Sequence, residues 1–163
     1  MAEDVRTPSR SVDADAGTTG FEDFFRSTEP VLRAALVSTF GPETGRDAAA
    51  EALLYGWRNW DRVGNLDNPA GYLFRVGQRW GRRHQVRGRR RFETAPAASL
   101  HPPFEPQLAD SLTALPVRQR QAVVLCIGYG LSHAEAAALL GVKRSTIQNH
   151  VERALHHLRQ RLG

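Results

Sequence analysis

The stretch LSHAEAAALLGVKRSTIQNHVERALHHLRQRL, residues 131–162, decides the fold. Ser132 and Glu135 have the spacing of a capping box at the start of a helix, and Gly141 stands where a helix ends in a left-handed turn. A second helix follows with apolar residues on one face: Ile147, Val151, Ala154, Leu155, Leu158 and Leu162. This layout predicts a helix-turn-helix, whose second helix enters the DNA major groove. An ordinary helical hairpin with a solvated polar face is the alternative.

Composition and charge favour a protein that binds a polyanion. The 163 residues carry a formal net charge of +5 and are 41% hydrophobic, which is enough for one ordinary domain or two small ones. The single cysteine, Cys126, excludes an intramolecular disulfide and a multi-cysteine metal site, and we expect it in a core. The sequence has no run of about 18 apolar residues and no signal-peptide core. We therefore predict a cytoplasmic protein without a membrane segment.

The sequence pattern of the N-terminal part of the chain predicts a helical module. Residues 1–20 are polar and are predicted to form a disordered tail. Apolar residues then recur at helical spacing up to Gly41, and Pro30 marks either a kink or the junction of two short helices. A second helix is expected over residues 43–60. After a loop, Asn68 and Pro69 form a helix start, so the module is predicted to span residues 21–91.

The rest of the chain predicts a linker and a second module. Residues 92–107 are rich in Pro, Ala and Ser and lack periodicity, which is typical of a flexible linker. Residues 108–163 then hold a short helix, a helix that begins at Pro116 with Val117 available for a core, and the helix-turn-helix. The predicted fold is all-α, with two small helical domains joined by the linker.

The helix that follows Asn68 is unusually basic. No acidic residue occurs between Asp67 and Glu93, and eight arginines lie between them: Arg75, Arg79, Arg82, Arg83, Arg87, Arg89, Arg90 and Arg91. Like charges on adjacent turns repel unless a polyanion neutralises them. Tyr72, Phe74 and Trp80 are interleaved with the arginines, and this combination suits phosphate contact with stacking on unpaired bases. A solvated basic helix is the alternative.

These residues resemble the bacterial sigma factors of the extracytoplasmic function (ECF) type, in the sigma-70 family, over nearly the whole chain from Phe21. Residues 114–125 and 130–159 are similar to region 4 of that family. Residues 47–60 are similar to region 2.2, with Asp47, Glu51 and Trp57 matching. The stretch NPAGYLFRVGQRWGRR resembles regions 2.3 and 2.4. The chain departs at Ala50, where a glutamine is usual, and at Arg79 and Arg82, where the polar residues of region 2.4 are usual.

The resemblance implies a protein that binds core RNA polymerase and directs promoter-specific initiation. Its partners would be the β′ and β subunits of the polymerase, promoter DNA and, as a further candidate, an anti-sigma factor. Polymerase docking is expected at Asp47, Glu51, Leu54 and Trp57. Major-groove reading of the minus-thirty-five element is expected from Lys143, Arg144, Ser145, Thr146, Gln148, Asn149 and Arg153. Capture of the melted minus-ten strand is expected from Asn65, Leu66, Asp67, Asn68, Arg75, Arg79, Arg82 and Arg83.

Other function classes lack support in the residues. A stand-alone helix-turn-helix regulator that binds duplex DNA without polymerase is the main alternative. Asp47 and Glu51 lie at i, i+4 spacing, but no His or Cys joins them, so a docking surface or a solvated face is favoured over a metal site. The six histidines are scattered without a nucleophile or metal-ligand pattern, and those near the C-terminus are expected to be solvated. We expect no enzyme activity, no metal and no cofactor.

Overall fold

The structure, a computed structural model, describes residues 12–88 and 106–163, with side chains over residues 17–85 and 107–163. Every regular element in these ranges is helical. The elements are α1 (Val12–Phe40), α2 (Pro42–Arg58), α3 (Trp60–Val63), α4 (Pro69–Gly88), α5 (Pro106–Thr113), α6 (Val117–Val123) with a π-helical turn (Val124–Gly128), α7 (His133–Leu140) and α8 (Arg144–Leu162). The predicted all-α fold is confirmed.

Helix α1 is longer than the sequence pattern predicts. It begins at Val12, so residues 12–20 are helical where a disordered tail was expected, while residues 1–11 lie outside the described residues. The helix also continues through Pro30 as one element instead of ending there. Leu32 and Leu36 on α1 are fully buried against the rest of the module. Burial of this apolar face outweighs the hydrogen bond that a proline removes.

Helices α1 and α2 approach each other closely at Gly45. A Cβ atom built on Gly45 would lie 2.6 Å from the backbone nitrogen of Val37, so a larger residue cannot fit without a shift of backbone. Ala48, Ala49 and Ala52 continue this close packing along α2 and are buried. Small residues on α2 therefore set the distance between the two helices.

The junction between α2 and α4 differs in detail from the sequence prediction. Helix α2 ends at Arg58, and Asn59 caps it through a 2.8 Å bond from its side-chain nitrogen to the Tyr55 carbonyl. A one-turn helix, α3, then replaces the first part of the predicted loop. The start of α4 follows the prediction, because the backbone N–H of Gly71 donates to Asn68 Oδ1 at 2.8 Å.

The second module contains the predicted helix-turn-helix. The Ser132 hydroxyl accepts from the Glu135 backbone, and the Glu135 carboxylate accepts from the Ser132 backbone, which completes the capping box. Gly141 ends α7 with φ 68° in the left-handed region. Ile147 and Val151 are buried along α8, but Leu162 is exposed, contrary to its predicted packing role.

The helix before the helix-turn-helix ends in a π-helical turn. The Tyr129 N–H donates to the carbonyl of Val124, five residues back, at 3.1 Å. Cys126 in this turn is half-buried, and burial raises the pKa of its thiol. Val117 at the start of α6 is exposed, so the prediction that it belongs to the core was wrong.

The two modules share one hydrophobic core among the described residues. Helix α6 and the π-helical turn pack on α1, and α7 packs on α4. Gln121 is 1% exposed and donates to Thr39 Oγ1 at 2.6 Å, which joins α6 to α1. Asn68 donates to the Ala138 carbonyl at 2.8 Å, which joins the start of α4 to α7. Most of the predicted linker, residues 92–105, lies outside the described residues.

Candidate nucleic-acid interface

The exposed side of α8 carries polar and basic side chains. Ile147, Val151 and Ala154 are buried on the opposite side of the helix, so the intervening positions face solvent. The predicted reading residues Lys143, Arg144, Ser145, Gln148, Asn149 and Arg153 are exposed, and Thr146 is half-buried. Gln148 donates from Nε2 to the Glu152 carboxylate at 3.1 Å, which orients its amide. These side chains supply the donors and acceptors that base edges require.

His150 lies between the core and the exposed side of α8. It is half-buried, and its Nδ1 atom is buried without a hydrogen-bond partner among the described residues. Burial lowers the pKa of His150, and the positive charges of Arg153 and Arg118 lower it further. A neutral imidazole is therefore favoured, and the prediction that this histidine is fully solvated was wrong.

Helix α4 presents one exposed row of arginines, which we call the arginine face: Arg75, Arg79, Arg82 and Arg83. Their spacing places them on successive turns of one side of α4. Within the described residues, no carboxylate lies within ion-pair distance of any of them. The row therefore offers uncompensated positive charge that suits the backbone of a nucleic acid.

The aromatic residues of α4 do not form the predicted stacking surface. Phe74 is 1% exposed and belongs to the core, so it cannot receive a base. Trp80 is half-buried and stacks on His84, with ring centroids 3.8 Å apart. The spacing of Phe74 and Trp80 along α4 is compatible with base stacking or with core packing. In the structure Phe74 belongs to the core and Trp80 packs against it.

The segment that precedes α4, residues 64–68, is exposed and is called the capture loop below. Asn65 donates to the Asp61 carbonyl at 2.6 Å, which folds the loop back on α3. Leu66 and Asp67 are exposed, and their side chains make no hydrogen bond or ion pair with the described part of the chain. The Asn68 side chain makes two hydrogen bonds, one with the backbone of Gly71 and one with the backbone of Ala138 in α7. The helix-turn-helix therefore contacts one end of the capture loop.

A pair of tyrosines and an arginine lie beside the capture loop, and sequence reasoning missed them as a group. The Tyr55 and Tyr72 hydroxyls are 3.2 Å apart, and Arg62 Nη2 donates to both of them. The Arg62 guanidinium also lies over both rings. The hydrogen bond from Tyr55 lowers the pKa of Tyr72, and Arg62 lowers it further, while the bond with Tyr72 raises the pKa of Tyr55. No spacing rule links these residues, since α3 brings Arg62 to them.

An apolar groove between α1 and α2, the docking groove, holds two of the predicted docking residues. Leu54 and Trp57 are 40% and 47% exposed, and Asp47 and Glu51 are exposed on α2. Phe21 and Phe25 of α1 line the same groove, and the Phe21 and Trp57 ring centroids are 5.2 Å apart. The contribution of Phe25 is absent from the sequence prediction, although its exposed position on α1 completes the apolar surface.

Known proteins are similar to this chain over both modules. A family model for sigma-70 region 4 matches residues 106–158. An ECF RNA polymerase sigma factor, EcfG, from Rhodopseudomonas palustris is 30% identical over 149 residues, covering 84% of this chain and 82% of the relative. The chain belongs to the extracytoplasmic function (ECF) sigma factor family. The RNA polymerase sigma-E factor of Streptomyces avermitilis is also 30% identical, over 87% of this chain and 84% of that protein.

Solved sigma factors have the same fold. RpoE of Bartonella quintana, crystallised with the anti-sigma factor NepR, has a TM-score of 0.65 at 24% identity over 87% of this chain and 96% of that chain. CnrH, in complex with the cytosolic domain of CnrY, has a TM-score of 0.61 at 26% identity over 91% of this chain and 93% of that chain. This chain is therefore a sigma factor that directs transcription, with its region 4 in α5–α8.

Within the described residues, no group of three or more His, Cys, Asp or Glu side chains is arranged to hold a metal ion. In the same residues, no helix is long and apolar enough to cross a membrane.

Proposed function

We propose that this ECF sigma factor binds core RNA polymerase through the docking groove and holds promoter DNA at two separate surfaces. The observation that carries the proposal is the pairing of two unlike surfaces in one chain of this family. The arginine face of α4 is bare of carboxylates, and the exposed side of α8 is rich in amides and hydroxyls. Phosphates bind to positive charge such as that of the arginine face, whereas base edges require directional donors and acceptors such as those of α8.

Base reading is assigned to α8. Arg144 can pair bidentately with guanine, and Gln148 and Asn149 can pair with adenine in the major groove of the minus-thirty-five element. Ser145 and Thr146 can bond to either base, while Lys143 and Arg153 suit the flanking phosphates. The bond from Gln148 to Glu152 supports this assignment because it holds the amide in one orientation before DNA arrives.

Strand capture is assigned to the capture loop and the arginine face. In this proposal the exposed residues Asn65, Leu66, Asp67 and Asn68 would receive a base that has left the stack, while the arginines would hold its backbone. Because the Asn68 side chain is bonded to the Ala138 carbonyl, its amide becomes free for a base only when that hydrogen bond breaks. The residues between the modules would then act as the tether that lets each reach its own promoter element.

Polymerase docking is assigned to the docking groove together with the exposed acidic residues Asp47 and Glu51 of α2. An exposed tryptophan and leucine beside acidic residues suit a basic helical partner, in this proposal the β′ subunit. The proposal also includes contact with the β subunit, control by an anti-sigma factor, action on the nucleoid in the cytoplasm, and no catalytic role for any residue. The RpoE structure supports the anti-sigma partner, since the anti-sigma factor NepR is bound to RpoE there.

Reconstitution tests this proposal. The purified chain is mixed with core polymerase, and binding is measured before run-off transcription from a library of pre-melted promoter templates. We expect complex formation and transcription from a subset of sequences. A chain that shifts duplex DNA alone and does not bind core polymerase would refute the proposal in favour of a stand-alone regulator.

A further inference from the structure

One buried amide side chain lies in the contact between the two modules. Gln121 of α6 is 1% exposed and donates from Nε2 to Thr39 Oγ1 of α1 at 2.6 Å. The Thr39 hydroxyl in turn donates to the Ala35 carbonyl at 2.8 Å, so it is paired both as an acceptor and as a donor. The Gln121 Oε1 atom, by contrast, is buried and accepts no hydrogen bond from residues 17–85 and 107–163. Only one of the two polar atoms of this amide is therefore paired.

Apolar side chains favour the contact between α1 and α6. Helix α6 and the π-helical turn pack on α1, and Leu32 and Leu36 of α1 lie in one core cluster with Ala122 and Leu125. Their removal from water stabilises what we call the closed arrangement, in which α6 lies on α1 and α7 lies on α4. The unpaired carbonyl of Gln121 opposes it, because a buried acceptor without a donor loses the hydrogen bonds that water gives it. Two opposing contributions therefore set the stability of the closed arrangement at α6.

The contact between α4 and α7 contains a hydrogen bond of a different kind. Asn68 donates to the Ala138 carbonyl at 2.8 Å, and both residues are exposed. Water can replace an exposed hydrogen bond at little cost in free energy. A change at Asn68 should therefore alter the stability of the closed arrangement less than a change at the buried Gln121.

We propose that Gln121 is a polar latch, which ties α6 to α1 through Thr39 and keeps the closed arrangement reversible because its carbonyl is unpaired there. When α6 leaves α1, water reaches both polar atoms of the amide, and the cost of the unpaired carbonyl disappears. A fully apolar contact would hold the two modules together more tightly. The latch concerns the free chain and goes beyond the proposed function, and only its effect on polymerase binding rests on that function.

Single-molecule fluorescence energy transfer in the full chain tests the latch. Dyes are attached at Arg26→Cys on α1 and Arg161→Cys on α8, both exposed positions, with the single native cysteine removed by Cys126→Ala. The open and closed populations are counted in mild urea below global unfolding. Gln121→Leu, which removes the unpaired carbonyl, should lower the ratio of open to closed chain on the order of tenfold. Thr39→Val, which removes the partner of the amide, should raise this ratio by a similar factor.

The matched control is Gln119→Leu, because Gln119 is a buried amide of the same helix whose partner, His157, belongs to its own module. The ratio in this control should equal that of the parent chain. Adding Gln121→Leu to Thr39→Val should close the chain again, since neither polar group of the pair then remains. An unchanged or higher ratio in Gln121→Leu, the same shift in Gln119→Leu, or a parent chain without a closed population would overturn the latch.

Core polymerase is then added to the labelled chains. It should open Gln121→Leu only at a higher concentration than the parent chain, because less of that variant is open beforehand. Equal concentrations despite a lowered ratio would overturn the effect of the latch on polymerase binding. A parent chain that binds no core polymerase would refute the proposed function, whereas the latch itself stands or falls on the ratios of the free chain.

Discussion

Helices α4 and α8 are both basic and both long, yet their exposed sides differ in kind. The exposed side of α4 is a row of arginines that have no carboxylate partner in the described part of the chain, while that of α8 mixes arginines with amides, hydroxyls and Glu152. Charge alone binds any nucleic-acid backbone, and directional donors and acceptors distinguish bases. In the proposed function, this sigma factor therefore uses one helix to hold the backbone and another to read the bases, and the total charge of a helix does not distinguish these two roles.

The largest expected effect comes from replacing the whole arginine face of α4 by glutamine. Each lost phosphate contact lowers the salt slope for single-stranded DNA by about 0.7, so four contacts lower it by roughly 3. Fork binding at low salt should weaken on the order of a hundredfold, measured by fluorescence anisotropy of the holoenzyme on fork templates. Replacement by lysine is the matched control and should retain the slope. An unchanged slope with glutamine would show that α4 does not hold the strand.

Trp57→Ala is expected to weaken core polymerase binding by about 2 kcal/mol, because a half-exposed tryptophan at an interface is a typical hot spot. This change leaves α4 and α8 intact and so separates polymerase docking from DNA binding. Leu162→Ala, at an exposed apolar residue outside the groove, is the control. Equal affinities for core polymerase in the two variants would remove the docking groove from the proposal.

Asn149→Ala should change base preference and leave the salt slope nearly intact. A lost bidentate contact to adenine costs about 1–3 kcal/mol at one base pair and nothing at others. The measurement is transcription from a panel of promoters varied at single upstream positions. Gln160→Ala, an exposed amide about three turns further along α8, is the control. A uniform loss over all promoters would mean that Asn149 acts on the backbone.

Ser132→Ala should destabilise the helix-turn-helix by about 1 kcal/mol, since the Ser132 hydroxyl caps α7. The free energy of unfolding is measured by urea denaturation. Ser145→Ala is the control because Ser145 is an exposed residue of α8 whose side chain makes no hydrogen bond within the described residues. The control should be neutral or slightly stabilising, and equal losses in both variants would contradict the role of the cap.

The smallest effect is a pH dependence from Glu135. Hydrogen bonds with Ser132, through its backbone and then its side chain, lower the pKa of Glu135 below its ordinary 4.5. The stabilisation is therefore fully present above the unfolded pKa and is lost as the pH falls through the lower folded pKa. Glu135→Gln can keep the capping bond without titrating. Acid unfolding curves should thus differ between the parent chain and this variant at low pH only, and identical curves would argue against the bond.

Local chemistry explains which parts of the fold could be predicted from the sequence. Ser132, Glu135, Gly141, Asn68 and Pro69 form their caps and turns within a few residues, so their pattern predicts their structure. The course of α1 through Pro30 and its start at Val12 depend on tertiary packing, which the local pattern does not contain. The same holds for Phe74, whose helical spacing suits either stacking or core packing.

The candidate interface divides in the same way. The arginine face and the exposed side of α8 follow from helical periodicity, and the predicted residues there are nearly all exposed. Tyr55, Arg62 and Tyr72 come together from three different helices, and the hydrogen bonds of Gln121 and Asn68 join the two modules. The spacing of residues along the sequence therefore predicts none of these contacts. The predicted site roles themselves remain predictions.

The most direct test of the separation between holding and reading is selection of promoters by the holoenzyme from a library randomised in the upstream duplex. The parent chain, the glutamine-substituted arginine face and Asn149→Ala are compared at two salt concentrations. We predict that only Asn149→Ala changes the selected upstream bases, and that only the arginine-face variant changes the salt dependence of yield. A shift of upstream base preference in the arginine-face variant, or none in Asn149→Ala, would contradict the account.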